Sequence, residues 1–207
     1  MDVARRLYLL RHAKSSWDGP DLDDHARPLS PRGERAAQDM AAHLQREGIQ
    51  PELVLCSTAM RVRQTVEALP LRGQVHYEDV LYGASAADLL SRLREIPDAV
   101  GSAMLVGHNP GIQELAVLFA GKGDPGLTGR VRVKLPTGAL VKLAFDGPWA
   151  SLAEGVATLE ALVVPRDLEP RLFVPRCPPA RRVHQSARLV RENWLSTVNN
   201  PIPGGSP

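Results

Sequence analysis

The sequence predicts a single three-layer α/β/α domain with a mostly parallel central sheet over residues 1–168, followed by a C-terminal extension over 169–207. Three observations lead there. Short apolar runs of strand length alternate with longer segments of helical periodicity, the pattern of parallel strands joined by crossover helices that cover both faces of a sheet. Runs such as Leu7–Leu10 and Ala103–Val106 end in polar loops that begin with or contain a histidine. Beyond residue 168 the pattern gives way to punctuation by Pro170, Pro175, Pro178, Pro179, Pro201, Pro203 and Pro207.

The elements follow in order. Arg5–Arg11 is the first strand. The first helix has Ser30 to cap it, Pro31 in its first turn and Gly48 to end it, with Ala37, Met40, Ala41 and Leu44 on one face. Leu53–Cys56 is a short strand, and Ala59–Leu69 is a helix closed by Pro70. Val75–Tyr77 is a weak strand. Ser85 with Asp88 forms a capping-box variant at the start of a helix through Arg94. After the strand Ala103–Val106, Asn109 caps a helix with Pro110 at its first position, running to about Ala120. Gly121–Leu127 reads as a glycine-rich loop, and Gly138–Phe145 and Ala157–Val163 as two late strands. In the extension, Ala187–Leu195 could form one or two helical turns.

Composition narrows the function classes. With 43% apolar and 23% charged residues this is an ordinary globular chain, and its few aromatics leave the core to Leu, Val and Ala. A core of about 165 residues buries roughly 70% of its unfolded surface and needs no disulfide or metal to fold. Cys56 and Cys177 form neither a disulfide framework nor a metal motif, so a reducing, cytoplasmic setting is expected. The apolar run after Arg5-Arg6 is shorter than the about 7–15 residues of a signal-peptide core, and nothing approaches the ~18 apolar residues of a membrane span, so no membrane is expected. The net charge is +2. From residue 166 onward, seven arginines face three carboxylates, a surplus of +4 that leaves −2 for the rest. The core carries no strong basic field, which argues against a nucleic-acid partner. The sequence is silent on oligomeric state.

Two histidines and two arginines sit where strands give way to loops: Arg11-His12, Arg61 in the segment Ser57–Thr65, and His108 in Gly107-His108-Asn109-Pro110-Gly111. In an open α/β sheet ligands bind outside the carboxyl ends of the strands, so this set points to an anionic substrate. Arg63 is a second arginine in the same segment. The three motifs occur in the order in which they resemble the histidine phosphatase, or phosphoglycerate mutase-like, superfamily. Leu7–Trp17 and Arg27-Pro28-Leu29-Ser30-Pro31-Arg32-Gly33 resemble its compact SixA-type branch of phosphohistidine phosphatases. The resemblance covers roughly residues 5–170 and is silent on the tail.

The resemblance implies a phosphatase with His12 as nucleophile, forming a phosphohistidine intermediate and splitting hydrolysis into two displacements. Arg11 and Arg61 would clamp phosphate through planar forks of donors, and their charge would keep His12 neutral. The spacing to Gln64-Thr65 selects Arg61 over Arg63. The second ring nitrogen of His12 should donate to a backbone carbonyl. His108 would bond the phosphoryl oxygens, helped by the helix that opens at Asn109. Larger family members place a proton-donating glutamate near Tyr82-Gly83, and alignment on that pair selects Asp79, with Glu78 next. Asp18, Asp21 and Asp24 are further carboxylates, read rather as solvated loop charges. Lys14 and Ser15 would line the pocket mouth, and Arg27 would anchor the loop.

No cofactor and no metal are expected, because arginine and histidine supply the positive cage. The preferred substrate is phosphohistidine on a partner protein. The alternative is the same chemistry on a small phosphate ester, a sugar phosphate or nucleotide; mutase activity is disfavoured, since the segment from Ser57 to His108 leaves little room for the cap that holds sugar phosphates in larger members. A reading of another class is a catalytically inactive phosphoprotein-binding module, which need not keep His12.

Overall fold

The computed structural model describes residues 4–18 and 22–168. The chain divides into two units, Met1–Pro170 and Arg171–Pro207. The second unit, with the expected turns at Ala187–Leu195, lies outside the described residues, as does Asp21.

The strands are β1 (Arg5–Arg11), β2 (Leu53–Ser57), β3 (Gln74–Glu78), β4 (Ser102–Gly107), β5 (Ala120–Gly123), β6 (Leu140–Phe145) and β7 (Ala157–Val163). The helices are α1 (Pro31–Arg46), α2 (Met60–Glu67), α3 (Ala86–Arg94), α4 (Gly111–Phe119), α5 (Pro125–Val133) and the short α6 (Pro165–Leu168). One seven-stranded sheet has the order β3-β2-β4-β1-β6-β7-β5. Its pairs are parallel except those that β6 makes with β1 and β7. The fold is the mostly parallel α/β architecture expected, phosphoglycerate mutase-like, with helices on both faces. Among the described residues no helix is long and apolar enough to cross a membrane.

Side-chain alternation divides β1 between two cores. Leu7 and Leu9 join Leu55, Leu105, Ile112 and Phe119 on one face. Tyr8 and Leu10 join Met40, Leu44, Val62 and Val106 on the other. Strands buried on both faces read as unbroken apolar runs, which is why β1, β2 and β4 are visible in the sequence.

The helix signals work as expected in two places. Ser30 accepts from the Gly33 N–H at 3.1 Å, and Gly48 leaves α1 with φ +62°. Ser85 and Asp88 make a reciprocal capping box on α3. At α4 the expectation is corrected. Pro110 is the cap, the helix begins at Gly111, and the Asn109 side chain donates instead to Gln113 Oε1 at 2.8 Å and the Leu135 carbonyl at 3.3 Å.

The expected loop Gly121–Leu127 is also corrected. It holds edge strand β5 and the start of α5. The glycines are there because the backbones nearly touch: a Cβ on Gly121 would lie 2.0 Å from the Gly155 carbonyl oxygen. Glycine in a strand often marks such an approach, and it resembles a loop in composition. Asp124 accepts from the Gly126 N–H at 2.8 Å, ahead of Pro125, a start signal the surrounding glycines obscured.

Gly33 carries a specific load. A Cβ there would sit 2.1 Å from the Lys14 carbonyl oxygen, which accepts from Ser30 N at 2.8 Å and Ser30 Oγ at 3.0 Å. Gly33→Ala must push α1 off the loop that follows β1. Such overpacking costs about 1–3 kcal/mol. The expected outcome is a lower denaturant midpoint at unchanged m-value, read by urea unfolding.

Candidate active site

Strand β4 lies between β2 and β1, and all three run parallel, so their carboxyl ends coincide. Arg11 stands opposite Gly107 in the ladder, and His12 N–H extends the pairing by donating to the Gly107 carbonyl at 3.1 Å. This places His12 beside His108, with ring centroids 5.0 Å apart.

The backbone around His12 is fixed on every side. Gly138 N–H lies 3.0 Å from the Arg11 carbonyl oxygen and 2.9 Å from that of His12. The Ala13 N–H donates to Thr65 Oγ1 at 3.1 Å, and the Thr65 hydroxyl donates to the Arg61 carbonyl at 2.6 Å. His12 is only 8% exposed, and its Nδ1 lies 2.7 Å from the Ala13 carbonyl oxygen. A carbonyl can only accept, so Nδ1 carries the proton and Nε2 keeps its lone pair. Nε2 has no hydrogen-bond partner among the described residues. Burial pushes the imidazole down to about 3, against the Ala13 carbonyl bond, with His108, Arg61 and Arg11 pushing the same way as burial. The expected charge effect of the arginines is present but is smaller than burial.

Arg61 is buried at the start of α2, and its Nη2 donates to Asp24 Oδ2 at 2.9 Å and lies 3.4 Å from His108 Nδ1. A guanidinium only donates, so His108 Nδ1 accepts and His108 Nε2–H donates to Ser57 Oγ at 2.9 Å. His108 is held neutral, its pKa pushed down to about 4 by burial and then by Arg61, with Asp24 opposing. Arg11 donates from Nη1 to the Leu135 carbonyl at 2.8 Å, while its buried Nε has no partner among the described residues.

Asp24, read from sequence as a solvated charge, enters the site on a single 3-10 turn, Asp24–Ala26. Its carboxylate accepts from Arg61, from the Tyr82 hydroxyl at 2.8 Å and from Arg27 at 3.0 Å. The Tyr82 bond, then the Arg61 bond, hold it down to about 2. The arrangement is a cage of donors, and a carboxylate of the protein's own, Asp24, occupies part of it.

Residues 7–97 match the model of the histidine phosphatase superfamily, branch 1. The chain is 36% identical over 160 residues to an uncharacterized protein of Mycobacterium tuberculosis, covering 76% of this chain and all of that one. A structure from Nakamurella multipartitia, described as a phosphohistidine phosphatase SixA, superposes with TM-score 0.69 at 34% identity, over 77% of this chain and 95% of that one. Another so described, from Agrobacterium tumefaciens, gives TM-score 0.65 at 30% identity, over 77% and 97%. The chain belongs to the histidine phosphatase superfamily, in its SixA-like branch. It is a histidine-dependent phosphatase, a hydrolase.

The other residues expected in this phosphatase site divide. Asp79 lies just past the end of β3 and accepts from the Thr58 hydroxyl at 2.6 Å, and that hydroxyl is 2.9 Å from His25 Nε2. Glu78, expected next after Asp79, has both carboxylate oxygens accepting from Arg92, at 2.7 and 2.8 Å. Asn109 is turned to Gln113 and Leu135, and its buried Oδ1 has no partner among the described residues. Lys14 is exposed beside the site, and Ser15 Oγ accepts from Arg27 at 3.3 Å. Arg27 also donates twice to the Ser16 carbonyl and lies over the Trp17 ring at 3.3 Å, the anchoring expected of it. Arg63 donates to the Thr58 carbonyl at 2.9 Å and lies over Tyr77. Among the described residues no three His, Cys, Asp or Glu side chains are grouped to hold a metal ion.

Both site histidines are depressed below the ordinary value of about 6.5. Between about pH 6.5 and 4 the unfolded chain therefore binds protons that the folded chain refuses. Stability rises with pH across that window and is lost as pH falls. The unfolding midpoint of wild type should drop more between about pH 7 and 4.5 than that of His12→Asn/His108→Asn, measured by urea titration.

Proposed function

We propose that this phosphatase acts through a covalent phosphohistidine on His12 and that its substrate is phosphohistidine on a partner protein. One observation carries the mechanism: a buried, neutral His12 whose Nδ1 is tied to the Ala13 carbonyl, leaving Nε2 without a partner among the described residues in a ring 5.0 Å from that of His108. The Nε2 lone pair attacks phosphorus, a P–N bond to His12 forms, and the bond to the leaving group breaks as that group takes a proton. Water then attacks the phosphoenzyme, the His12 P–N bond breaks, and inorganic phosphate leaves with His12 neutral again.

Arg11, Arg61 and His108 stabilise the transferring oxygens, the main task in phosphoryl transfer. Arriving phosphoryl competes with Asp24 for Arg61, since both Nη atoms of Arg61 already donate to Asp24. A dianion beside His108 also raises that ring's pKa, so His108 takes up a proton on binding and becomes a charged donor.

The substrate choice is supported by shape, by chemistry and by the two SixA-named relatives. Between Ser57 and His108 the chain spends its length on α2, β3, a 3-10 turn and α3, with no inserted cap. An open site gives a small ester few contacts beyond its phosphate, so little binding energy can be directed to the transition state. A folded partner brings its own surface. Its P–N bond needs only protonation of an imidazole to leave, a light demand where the carboxylates are Asp79, on Thr58, and Asp24, on Arg61.

His12→Ala should lose turnover with its fold intact. Wild type quenched in alkali should hold a phosphoryl label that mild acid removes, and full activity in His12→Ala would reject the mechanism. Arg61→Ala and His108→Ala should each cost about 10²–10³ in rate, Arg63→Ala far less, and exhaustive chelation should cost nothing. Asp79→Asn should slow aryl phosphate hydrolysis far more than phosphohistidine hydrolysis. If Asp24→Asn shows that split and Asp79→Asn does not, the proton donor is Asp24. Equal losses on the two substrates, or a wild-type preference for a sugar phosphate in kcat/KM, would favour the small-ester reading.

A further inference from the structure

Beside the site, at the carboxyl ends of β1 and β7, a groove of about 1040 Å³ runs between α1 and α5. Arg11 and Lys14, on either side of His12 in sequence, both line it, so the groove adjoins the phosphoryl cage at Arg11. Arg32 and Arg35 stand on the α1 wall, Arg130 and Lys134 on the α5 side, and Arg166 beyond β7. Against these seven cations the lining holds one carboxylate, Asp39. Arg130 and Arg166 share Asp167, at 3.9 and 3.7 Å. Lys14, Arg32, Arg35 and Lys134 make no ion pair among the described residues. These four charges are therefore not engaged by carboxylates of the described chain.

The groove is not only cationic. Pro136, Leu162, Val164 and Pro165 contribute apolar surface, and Val133 is 85% exposed on it, the most exposed large apolar side chain among the described residues. No aromatic ring lines it, so it lacks the stacking platform that single-stranded nucleic acid uses. A bare polyphosphate would gain nothing from the apolar surface. The chain's own segment 169–207 has six arginines against two glutamates, the same sign as the groove. Carboxylates interspersed with aliphatic side chains match both properties.

We propose that the groove between α1 and α5 binds an acidic, partly apolar segment of the protein that presents its phosphoryl group to His12. The inference rests on the protein-substrate reading above and adds where that protein docks and what its surface carries. Opposite charge across such a contact speeds encounter and selects partners, and salt screens it.

The test uses the full chain and two phosphohistidine peptides of equal length, one flanked by Glu and Leu, the other by Gln and Leu. The non-phosphorylated Glu/Leu peptide, labelled with a fluorophore, reports binding alone. The aryl ester p-nitrophenyl phosphate reports the cage alone, and tripolyphosphate serves as a competitor. At low ionic strength wild type should favour the acidic phosphopeptide by about tenfold or more in kcat/KM, and salt should shrink the gap. Arg35→Glu/Lys134→Glu should erase the preference through KM, with kcat and aryl phosphate hydrolysis unchanged. If aryl phosphate is turned over but neither phosphopeptide is, the protein-substrate reading fails. The groove is then judged by the labelled peptide, whose binding to wild type but not to the double variant upholds an acidic-segment site. Equal rates on the two phosphopeptides, a preference that survives in the double variant, or tripolyphosphate binding without peptide binding would each overturn the proposal.

Discussion

The pairing of Arg11 with Gly107 in the β1–β4 ladder is the constraint on which the site depends. It sets the ends of two parallel strands level, so the residues that follow, His12 and His108, face each other at 5.0 Å. A one-residue slip in a strand moves every side chain to the opposite face. Here it would also exchange the sets Leu7/Leu9 and Tyr8/Leu10 between two cores built of different residues. The packing that fixes the register is thus the packing that fixes the site, and the sheet interior serves as the ruler for the chemistry at its edge.

Burial and hydrogen bonding act on His12 in opposite senses, and burial is the larger. The Ala13 carbonyl would favour the charged ring, but removal from water outweighs it. The same bond selects the tautomer, leaving Nε2 as the free nitrogen. The proposed nucleophile therefore owes its charge state to the cores beneath it and its orientation to one carbonyl.

What the sequence made legible was whatever depends on period and on strand ends. Buried strands β1, β2 and β4, the caps at Ser30 and Ser85, and the positions of His12, Arg61 and His108 were readable because each is a local pattern at the end of an apolar run. The misreadings share a cause of another kind. Strand β5 is glycine where backbones almost touch, and a close approach leaves no periodic trace. Asp24 reaches Arg61 because a 3-10 turn folds the loop back over α2, a contact between residues 37 apart that no spacing rule announces. Asn109 looked like a cap, but a glutamine one helical turn later competes for its amide.

One chain of contacts gives the molecule an optical signature. Trp17 is 72% exposed, with the Arg27 guanidinium stacked at 3.3 Å, and Arg27 is bonded to the same Asp24 carboxylate that sits on Arg61. An anion that takes Arg61 from Asp24 alters the partners of Arg27 and so the surroundings of the indole. The other described tryptophan, Trp149, is fully buried and donates to the Val100 carbonyl from the opposite end of the sheet. Through these contacts, displacement of Asp24 from Arg61 would be felt at the indole, so the emission of Trp17 would follow the occupancy of the cage.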